Sequence, residues 1–309
     1  MKEFPMTFRQ FNKQFATEAQ CRQYLFDLRF PQGFVCPKCS NEKSWLRSNN
    51  LYECTSCGRG TSVTAGTIFQ DTRKPLQDWF IAVWWITTQK YGASAQGLQQ
   101  ILGLNSYQTA WTWLHKIRTA MVNPNRKKLS GIVEVDECYI GGEEIGKHGR
   151  GADSKALVIV ATELDGHKLG RIRMSIINNA SKLSIHGFIT ENIELGSEII
   201  SDGWNGYKGL VEQGYSHTIY KQNEAEKDDE LLPHVHLIIS LLKRWLLGTH
   251  QGAVERKHLQ AYLDEYVFRF NRRTSSKRGL LFYRLLENAM VVSPTTYNEI
   301  IGKNSAIPF

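Results

Sequence analysis

Four of the six cysteines in this 309-residue chain stand in two Cys-x-x-Cys pairs. The pairs are Cys36 with Cys39 and Cys54 with Cys57, and fourteen residues separate them. Two such turns at this separation are typical of four thiolates around one tetrahedral zinc ion, held on short hairpins as a zinc ribbon. A redox pair needs one motif at the start of a helix, whereas the Pro, Ser and Gly residues here favour turns. We therefore predict a closed structural zinc site with no catalytic role.

A helix is predicted before the cysteines. Thr17 followed by Gln20 is a capping pair, and Leu25 and Leu28 belong to an apolar pattern at helical spacing. We predict that residues 1–74 form this N-terminal helix and the zinc ribbon.

Three helices are predicted in the next segment, residues 75–125. An apolar stripe begins after Pro75, a second helix runs from about Ser94 to Leu102, and Ser106 caps a third helix that ends near Arg118. The glycine turn between the last two gives a helix-turn-helix outline, although an ordinary three-helix bundle has the same pattern. The ribbon and the basic charge favour DNA binding, with Lys116 and Arg118 of the third helix among the predicted contacts.

The chain is basic, with 38 Lys and Arg against 30 Asp and Glu, a formal net charge of +8. Basic residues cluster at 126–128 and again at 269–278, which includes Arg272 and Arg273. Such clusters predict a polyanionic partner, most simply nucleic acid. The longest strongly apolar run, 79–86, is far shorter than the roughly 20 residues that span a bilayer, and the N-terminus lacks an apolar signal core. These features predict a cytoplasmic protein without a membrane segment.

A strand is predicted from Gly131 to Gly142, because its apolar residues are mostly β-branched or aromatic and glycines bracket them. Side chains alternate along a strand, so Glu134, Asp136 and Cys138 share one face. An unpaired carboxylate in mid-strand is costly, so a compensating charge is expected at Asp136. A solvated acidic face is the alternative interpretation.

A second acidic motif changes the balance between these two interpretations. Residues 198–204 form a short apolar strand that ends in Asp202 and a glycine turn. Carboxylates at strand ends suit hard cations such as magnesium and manganese. No Asp or Glu stands in a clean position for a third ligand downstream, but His236 does, and Lys243 follows it by two helical turns. The polar run 223–230, with Asp228, Asp229 and Glu230, could also supply a ligand.

Further strands and helices alternate through the segment 126–290. Strands are expected at about 156–162, 170–177 and 216–220, with a helix near 181–190 and an amphipathic helix through 259–270. This order suits a mixed sheet flanked by helices. Residues 291–309 form a tail without a chemical signal.

Several motifs in order extend the pattern over nearly the whole chain. They are Val-Asp-Glu-Cys-Tyr-Ile-Gly-Gly at 135–142, Ser-Asp-Gly-Trp at 201–204, Leu-Leu-Lys-Arg at 241–244, Tyr-Leu-Asp-Glu at 262–265 and Phe-Arg-Phe-Asn-Arg-Arg at 268–273. With the zinc ribbon and helical module, the chain resembles the insertion-sequence transposases related to the Merlin group. Those proteins join a zinc ribbon to an RNase H-like catalytic domain of the DDE type. The resemblance implies a multidomain α+β fold, with residues 126–290 as the RNase H-like domain.

The resemblance also implies roles for individual residues. Asp136 and Asp202 match the first two catalytic carboxylates, and Lys243 matches the basic residue after the third. His236 stands at the third position, where many relatives carry Glu or Asn, and His234 is a rival ligand. Arg244, Arg272 and Arg273 join Lys243 as expected DNA contacts.

The activity implied is metal-dependent cleavage and transfer of DNA strands at the inverted ends of the element. Two divalent ions, magnesium or manganese, support such displacement at phosphorus. Imidazole suits manganese better than magnesium, so manganese should support relatively strong activity. The implied partner is double-stranded DNA, bound by a homo-oligomer in the nucleoid of a prokaryotic host. A catalytically inactive DNA-binding regulator and a structure-specific nuclease are the alternatives.

Overall fold

A computed structural model describes residues 3–141, 155–166, 168–220, 231–251 and 254–303 of the chain. It contains two compact units. The first combines Met1–Pro124 with Ser275–Phe309, and the second is Asn125–Thr274. No helix among the described residues is long and apolar enough to cross a membrane.

Two short helices open the first unit, α1 at Phe8–Gln14 and α2 at Glu18–Arg29. Each begins with a capping box, in which a Thr side chain and a Gln side chain satisfy one another's backbone N–H groups. At α2 the pair is Thr17 and Gln20, so the predicted start of this helix is confirmed.

The cysteine segment forms a small antiparallel sheet. Its strands are β1 at Ser44–Leu46, β2 at Tyr52–Cys54 and β3 at Gly60–Thr61, with β2 in the centre. The strands are too short to bury a core of their own. The ribbon therefore depends on other contacts, among them the stacking of Tyr52 of β2 on Phe26 of α2.

Three helices follow as predicted: α3 at Leu76–Thr88, α4 at Ala95–Leu102 and α5 at Tyr107–Thr119. Gly103 ends α4 in the left-handed conformation, with φ of 59°, which glycine adopts without steric cost. Helices α4 and α5 pack against one another across this turn, which matches the helix-turn-helix outline.

Helices α9 at Arg278–Ala289 and α10 at Tyr297–Ile300 complete the first unit. Phe282 of α9 is fully buried, and its ring contacts the rings of four aromatic residues near the other end of the chain, Phe11, Phe15, Phe80 and Trp84. The catalytic region is predicted to run to residue 290. In the structure the second unit ends at Thr274, because α9 buries its aromatic face in the first unit.

The second unit is built on one mixed sheet of five strands. They are β4 at Ile132–Ile140, β5 at Ala156–Asp165, β6 at Lys168–Ile177, β7 at Glu198–Ser201 and β8 at Ser216–Ile219. Their order is β6-β5-β4-β7-β8. The pairs β4–β5 and β5–β6 are antiparallel, whereas β4–β7 and β7–β8 are parallel. This is the mixed sheet that the order of strands and helices in the sequence predicts.

Helices cover both faces of the sheet. Helix α6 at Lys182–Asn192 packs on one core, which includes Val133 and Val135 of β4. Helices α7 at Pro233–His250 and α8 at Arg256–Phe270 pack on the other core, which includes Cys138. The two faces of β4 therefore alternate as its sequence predicts, and the carboxylates Glu134 and Asp136 lie on the side of α7.

Side chains of α8 and the residues after it protect the free edge of β6. Asn271 accepts the N–H of Ile172 at 2.7 Å and donates to its carbonyl at 3.1 Å. Gln260 accepts the N–H of Ile176 at 3.0 Å, and Arg273 donates to the carbonyl of Gly170 at 3.2 Å. These bonds occupy groups that would otherwise pair with another strand.

One buried carboxylate in this unit predicts a pH-dependent stability. Burial raises the pKa of Asp264 to about 6, while a hydrogen bond from Gln260 and the charge of Arg126 act in the opposite direction. Above pH 4 the unfolded chain has released this proton, whereas the folded protein keeps it up to about pH 6. The free energy of unfolding therefore falls as the pH rises through 6.

Replacing Asp264 by Asn should stabilise the second unit by about 3 kcal/mol at pH 8 and by about half as much at pH 5. Urea unfolding of the full zinc-loaded chain at both pH values measures this difference. The exposed Asp165, replaced by Asn, is the control and should change little. An Asp264→Asn effect that is the same at the two pH values would contradict the prediction.

Candidate functional site

The parallel pairing of β4 with β7 places two carboxylates at neighbouring positions. Glu134 is the register partner of Ile200. Two residues further along each strand, this register brings Asp136 level with Asp202, which directly follows the end of β7. Neighbouring strands lie about 4.8 Å apart, so the two backbones are close at this level.

The first turn of α7 brings a histidine to Asp136. His236 Nε2 lies 3.2 Å from Asp136 Oδ2. The Asp136 side chain is 17% exposed and the His236 side chain 39%, so the pair opens to solvent on the histidine side. The structure thus brings the predicted residues Asp136 and His236 into contact across a hundred positions of sequence.

The electrostatics of Asp136 reflect this setting. Burial raises the pKa of Asp136, and the negative charge of Asp202 raises it further. The backbone N–H of Glu137 and the His236 imidazole act in the opposite direction. A carboxylate whose charge is disfavoured by burial and by a like charge is a site where a cation binds favourably.

The turn after β7 fixes Asp202. Its Oδ1 accepts the backbone N–H of Trp204 at 2.9 Å. Gly203 has φ of 80°, and a Cβ there would lie 2.5 Å from a methyl carbon of Ile219. The turn therefore requires glycine at this position. Ser201, which precedes Asp202, is fully buried and lies 2.9 Å from His217 Nε2.

A second carboxylate–histidine contact runs beside the first. Glu134 is 4% exposed; its Oε1 lies 2.7 Å from His234 Nδ1, and its Oε2 accepts the N–H of Val235 at 2.8 Å. His234, the rival ligand of the sequence analysis, therefore contacts Glu134. No role was predicted for Glu134, although its position two residues before Asp136 places both carboxylates on one face of β4.

Glu137 lies apart from this group, on the other face of β4. The hydroxyl of Tyr207, which is fully buried, donates to Glu137 Oε1 at 2.6 Å. The Glu137 carboxylate therefore has its own partner, on the opposite face of β4 from Glu134 and Asp136.

Lys243 lies two turns beyond His236 on the same helix and is exposed. Burial raises the pKa of Cys138 to about 12, and the charge of Lys243 opposes that rise, so the ammonium lies near the end of β4. A cavity of about 340 Å³ is lined there by Tyr139, Ile140, Gly141, Lys243, Leu246, Leu247 and Val254. Arg244, the next residue, is also exposed.

The structure corrects one predicted DNA contact. Arg118 is 2% exposed and its guanidinium donates to the carbonyl of Ala93 at 3.4 Å, so it is an interior residue of the helical module. Lys116, on the same helix, is half-buried, and burial lowers its pKa.

The guanidinium groups of Arg272 and Arg273 contact other residues of the chain. Arg272 lies 3.9 Å over the ring of Phe268 and Arg273 lies 4.0 Å over that of Phe270, and both donate to backbone carbonyls. Arg273 is nevertheless exposed. The acidic residues 228–230, the alternative source of a metal ligand, lie outside the described part of the chain.

The four cysteines of the ribbon have the geometry of a zinc site. Their sulfur atoms lie within 4.8 Å of one another, with 3.6 Å between Cys36 and Cys57 and 3.5 Å between Cys39 and Cys54. Thiolates around a tetrahedral zinc at 2.3 Å stand about 3.8 Å apart, so the donor set fits the ion. Asn41 donates to the Cys54 sulfur at 3.5 Å and orients it.

Among the described residues, the four cysteines are the only group of three or more potential ligands close enough to hold a metal ion. Asp136, Asp202 and His236 do not form such a group, although Asp136 contacts His236 and senses the charge of Asp202.

Two family models match the chain. Residues 128–271 match an ISXO2-like transposase domain, and residues 16–60 match a transposase zinc-ribbon domain. A protein of Halobacterium salinarum, described as an uncharacterized protein in transposable element ISH50, is 25% identical over 279 residues. That alignment covers 83% of this chain and 92% of the relative.

Two crystal structures are also similar, a pre-cleavage Mos1 transpososome and the Mos1 strand transfer complex. They are 10% and 12% identical in sequence, cover 67% and 69% of this chain and 76% of each matched chain, and both have a TM-score of 0.28. Similarity this low supports no further conclusion.

The zinc site gives a direct prediction. The purified chain should hold one zinc ion, and Cys54→Ser should lower the zinc content and expose the ribbon to proteolysis, because three thiolates hold the ion less tightly. Zinc release measured with a chromogenic chelator, together with limited proteolysis, tests this. Cys21→Ala, which changes a buried cysteine of α2, is the control and should retain the ion. Full zinc retention in Cys54→Ser would contradict the prediction.

Proposed function

We propose that the chain is an insertion-sequence transposase with an N-terminal zinc ribbon, which binds the inverted ends of its element and cleaves and transfers DNA strands. The observation that supports this most directly is the contact of Asp136 with His236 at 3.2 Å, beside the strand β7 that Asp202 directly follows.

In this proposal the second unit carries the catalytic residues. Asp136, Asp202 and His236 would hold divalent cations, with Asp136 between the other two. Carboxylate oxygens suit magnesium and manganese. The pKa of Asp136 is raised, and a nearby positive charge would lower it by favouring the ionised carboxylate. Two such ions, when bound, activate the attacking oxygen and stabilise the leaving oxygen during in-line displacement at phosphorus.

The residues of the chain then position the DNA. Asp202 is held in its turn by the N–H of Trp204, so its carboxylate direction is set before any ligand arrives. The exposed Lys243 and Arg244 on α7 would contact phosphate groups near the site. Phosphate contacts of this kind fix the register of a duplex without reading its sequence.

The first unit would supply recognition of the element's ends. We assign residues 1–74 to the ribbon and 75–125 to the helix-turn-helix-like module, with Lys116 on the third helix. The net charge of +8 favours a duplex partner. Binding by a homo-oligomer would let two subunits hold the two ends of one element.

One observation favours a second candidate, a DNA-binding regulator that has lost catalysis. Outside the cysteine cluster, the described residues contain no set of three ligands that meet in the manner of a metal site. In a regulator the protein would bind end DNA without cutting it. A structure-specific nuclease, in contrast, would cut without joining the product to a target.

The carboxylates provide the first test. With a labelled duplex that carries the inverted repeats flanking the coding region, Asp136→Asn and Asp202→Asn should each reduce the cleavage rate by more than about 100-fold, because a neutral amide holds a cation poorly. Binding of the same duplex should remain. Glu212→Gln, at an exposed carboxylate of the same unit, is the control.

The results separate the three functions. Equal binding by all variants with no cleavage by the wild type supports the regulator. Cleavage without strand transfer supports the nuclease.

The metal preference tests the role of His236. The wild type should cut faster with manganese than with magnesium, and His236→Glu should shift the ratio of the two rates towards magnesium, because a carboxylate suits the harder ion. His258→Glu, at a histidine on α8, should leave the ratio unchanged. Equal or faster wild-type cleavage in magnesium would argue against His236 as a ligand.

A further inference from the structure

Glu134 joins the strand that carries Asp136 to the first turn of α7. One oxygen of its carboxylate contacts His234 and the other accepts the N–H of Val235, at 2.7 and 2.8 Å. Glu134 is 4% exposed, so its carboxylate is shielded from water, whereas the His234 side chain is 27% exposed. A charge-assisted bond in such surroundings is stronger and more directional than one on the surface.

Helix α7 has no side-chain cap of its own. Its N-cap residue is Leu232, whose side chain offers no acceptor, and Pro233 has no N–H. The N–H of His236 bonds to the carbonyl of Leu232 at 3.1 Å. Glu134 therefore acts as the cap from another element, and its negative charge faces the positive end of the helix dipole.

The two carboxylate–histidine contacts share the same spacing. Glu134 and Asp136 are two residues apart on one face of β4, and their partners His234 and His236 are two residues apart on α7. A shift of α7 that breaks the first contact also moves His236 away from Asp136.

We propose that Glu134 is a positioning residue that fixes the start of α7, so that the His236 imidazole meets the cation site at Asp136. This inference rests on the proposed function, because it concerns the same site. It also assigns His234 to the bond with Glu134 rather than to the metal.

Two other roles for Glu134 make different predictions. As a metal ligand it would have to turn an oxygen towards the cation, whereas both of its oxygens bond to α7 and the residue is buried. If Glu134 only stabilised the second unit, its removal would lower manganese affinity to the same extent with or without His236.

The test is a titration of manganese into the full zinc-loaded chain, in which the relaxation rate of water protons reports how much manganese is bound. Glu134→Ala should weaken manganese binding about 10-fold or more, which is the usual effect of removing a group that orients a ligand. Glu134→Gln should stay close to the wild type, because its amide still accepts the N–H of Val235. Glu163→Ala is the control, since Glu163 is a half-buried carboxylate that accepts a backbone N–H from Ser130, away from α7.

A double-mutant cycle identifies the path of the effect. In a His236→Ala background, Glu134→Ala should cause little further loss of affinity, because the ligand that it positions is already gone. Losses that multiply in the double variant, or a Glu163→Ala variant that loses as much affinity as Glu134→Ala, would overturn the proposal in favour of a structural role. A Glu134→Gln variant as weak as Glu134→Ala would overturn it in favour of direct ligation.

Strand cleavage measured in parallel separates this inference from the proposed function. Suppose that manganese binds and the cycle is non-additive, but that neither the wild type nor any variant cuts DNA. The positioning role of Glu134 is then supported, and the proposed transposition chemistry is refuted. If the wild type binds no manganese, the positioning role fails as well.

Discussion

The parallel pairing of β4 with β7 is the contact on which the candidate site depends. It sets Asp136 level with Asp202 although sixty-five residues lie between them in the chain. The antiparallel partner β5 on the other side of β4 keeps that strand in the centre of the sheet, so its position is fixed from both edges. A shift of one residue in this register would turn one of the two carboxylates to the opposite core.

A buried acidic row on a central strand is costly unless something compensates each charge. At Glu134 the compensation is internal, because a helix N-terminus and a histidine take up both oxygens. At Asp136 it is incomplete, since burial and the charge of Asp202 raise its pKa although the backbone N–H of Glu137 and the His236 imidazole act in the opposite direction. Two carboxylates on the same strand face thus have different surroundings.

Much of this architecture could be predicted from residue patterns. The alternation of β4 identified which side chains share a face, and Thr17 and Gln20 marked the start of α2, because both signals are local. The interior position of Arg118 could not be predicted, since arginine is mostly exposed and only the packing of the helical module buries it. The contact of His234 with Glu134 also depends on how α7 meets the sheet, which helical spacing alone does not determine.

The place of α9 in the first unit could not be predicted for a related reason, because its partners lie at the opposite end of the chain. Phe282 completes an aromatic cluster with residues between Phe11 and Trp84. When residues 1–124 have left the ribosome, Phe282 has not yet been translated. The first unit can therefore close its aromatic cluster only after the whole of the second unit has been translated, and the emerging N-terminal helices keep an open apolar face until then.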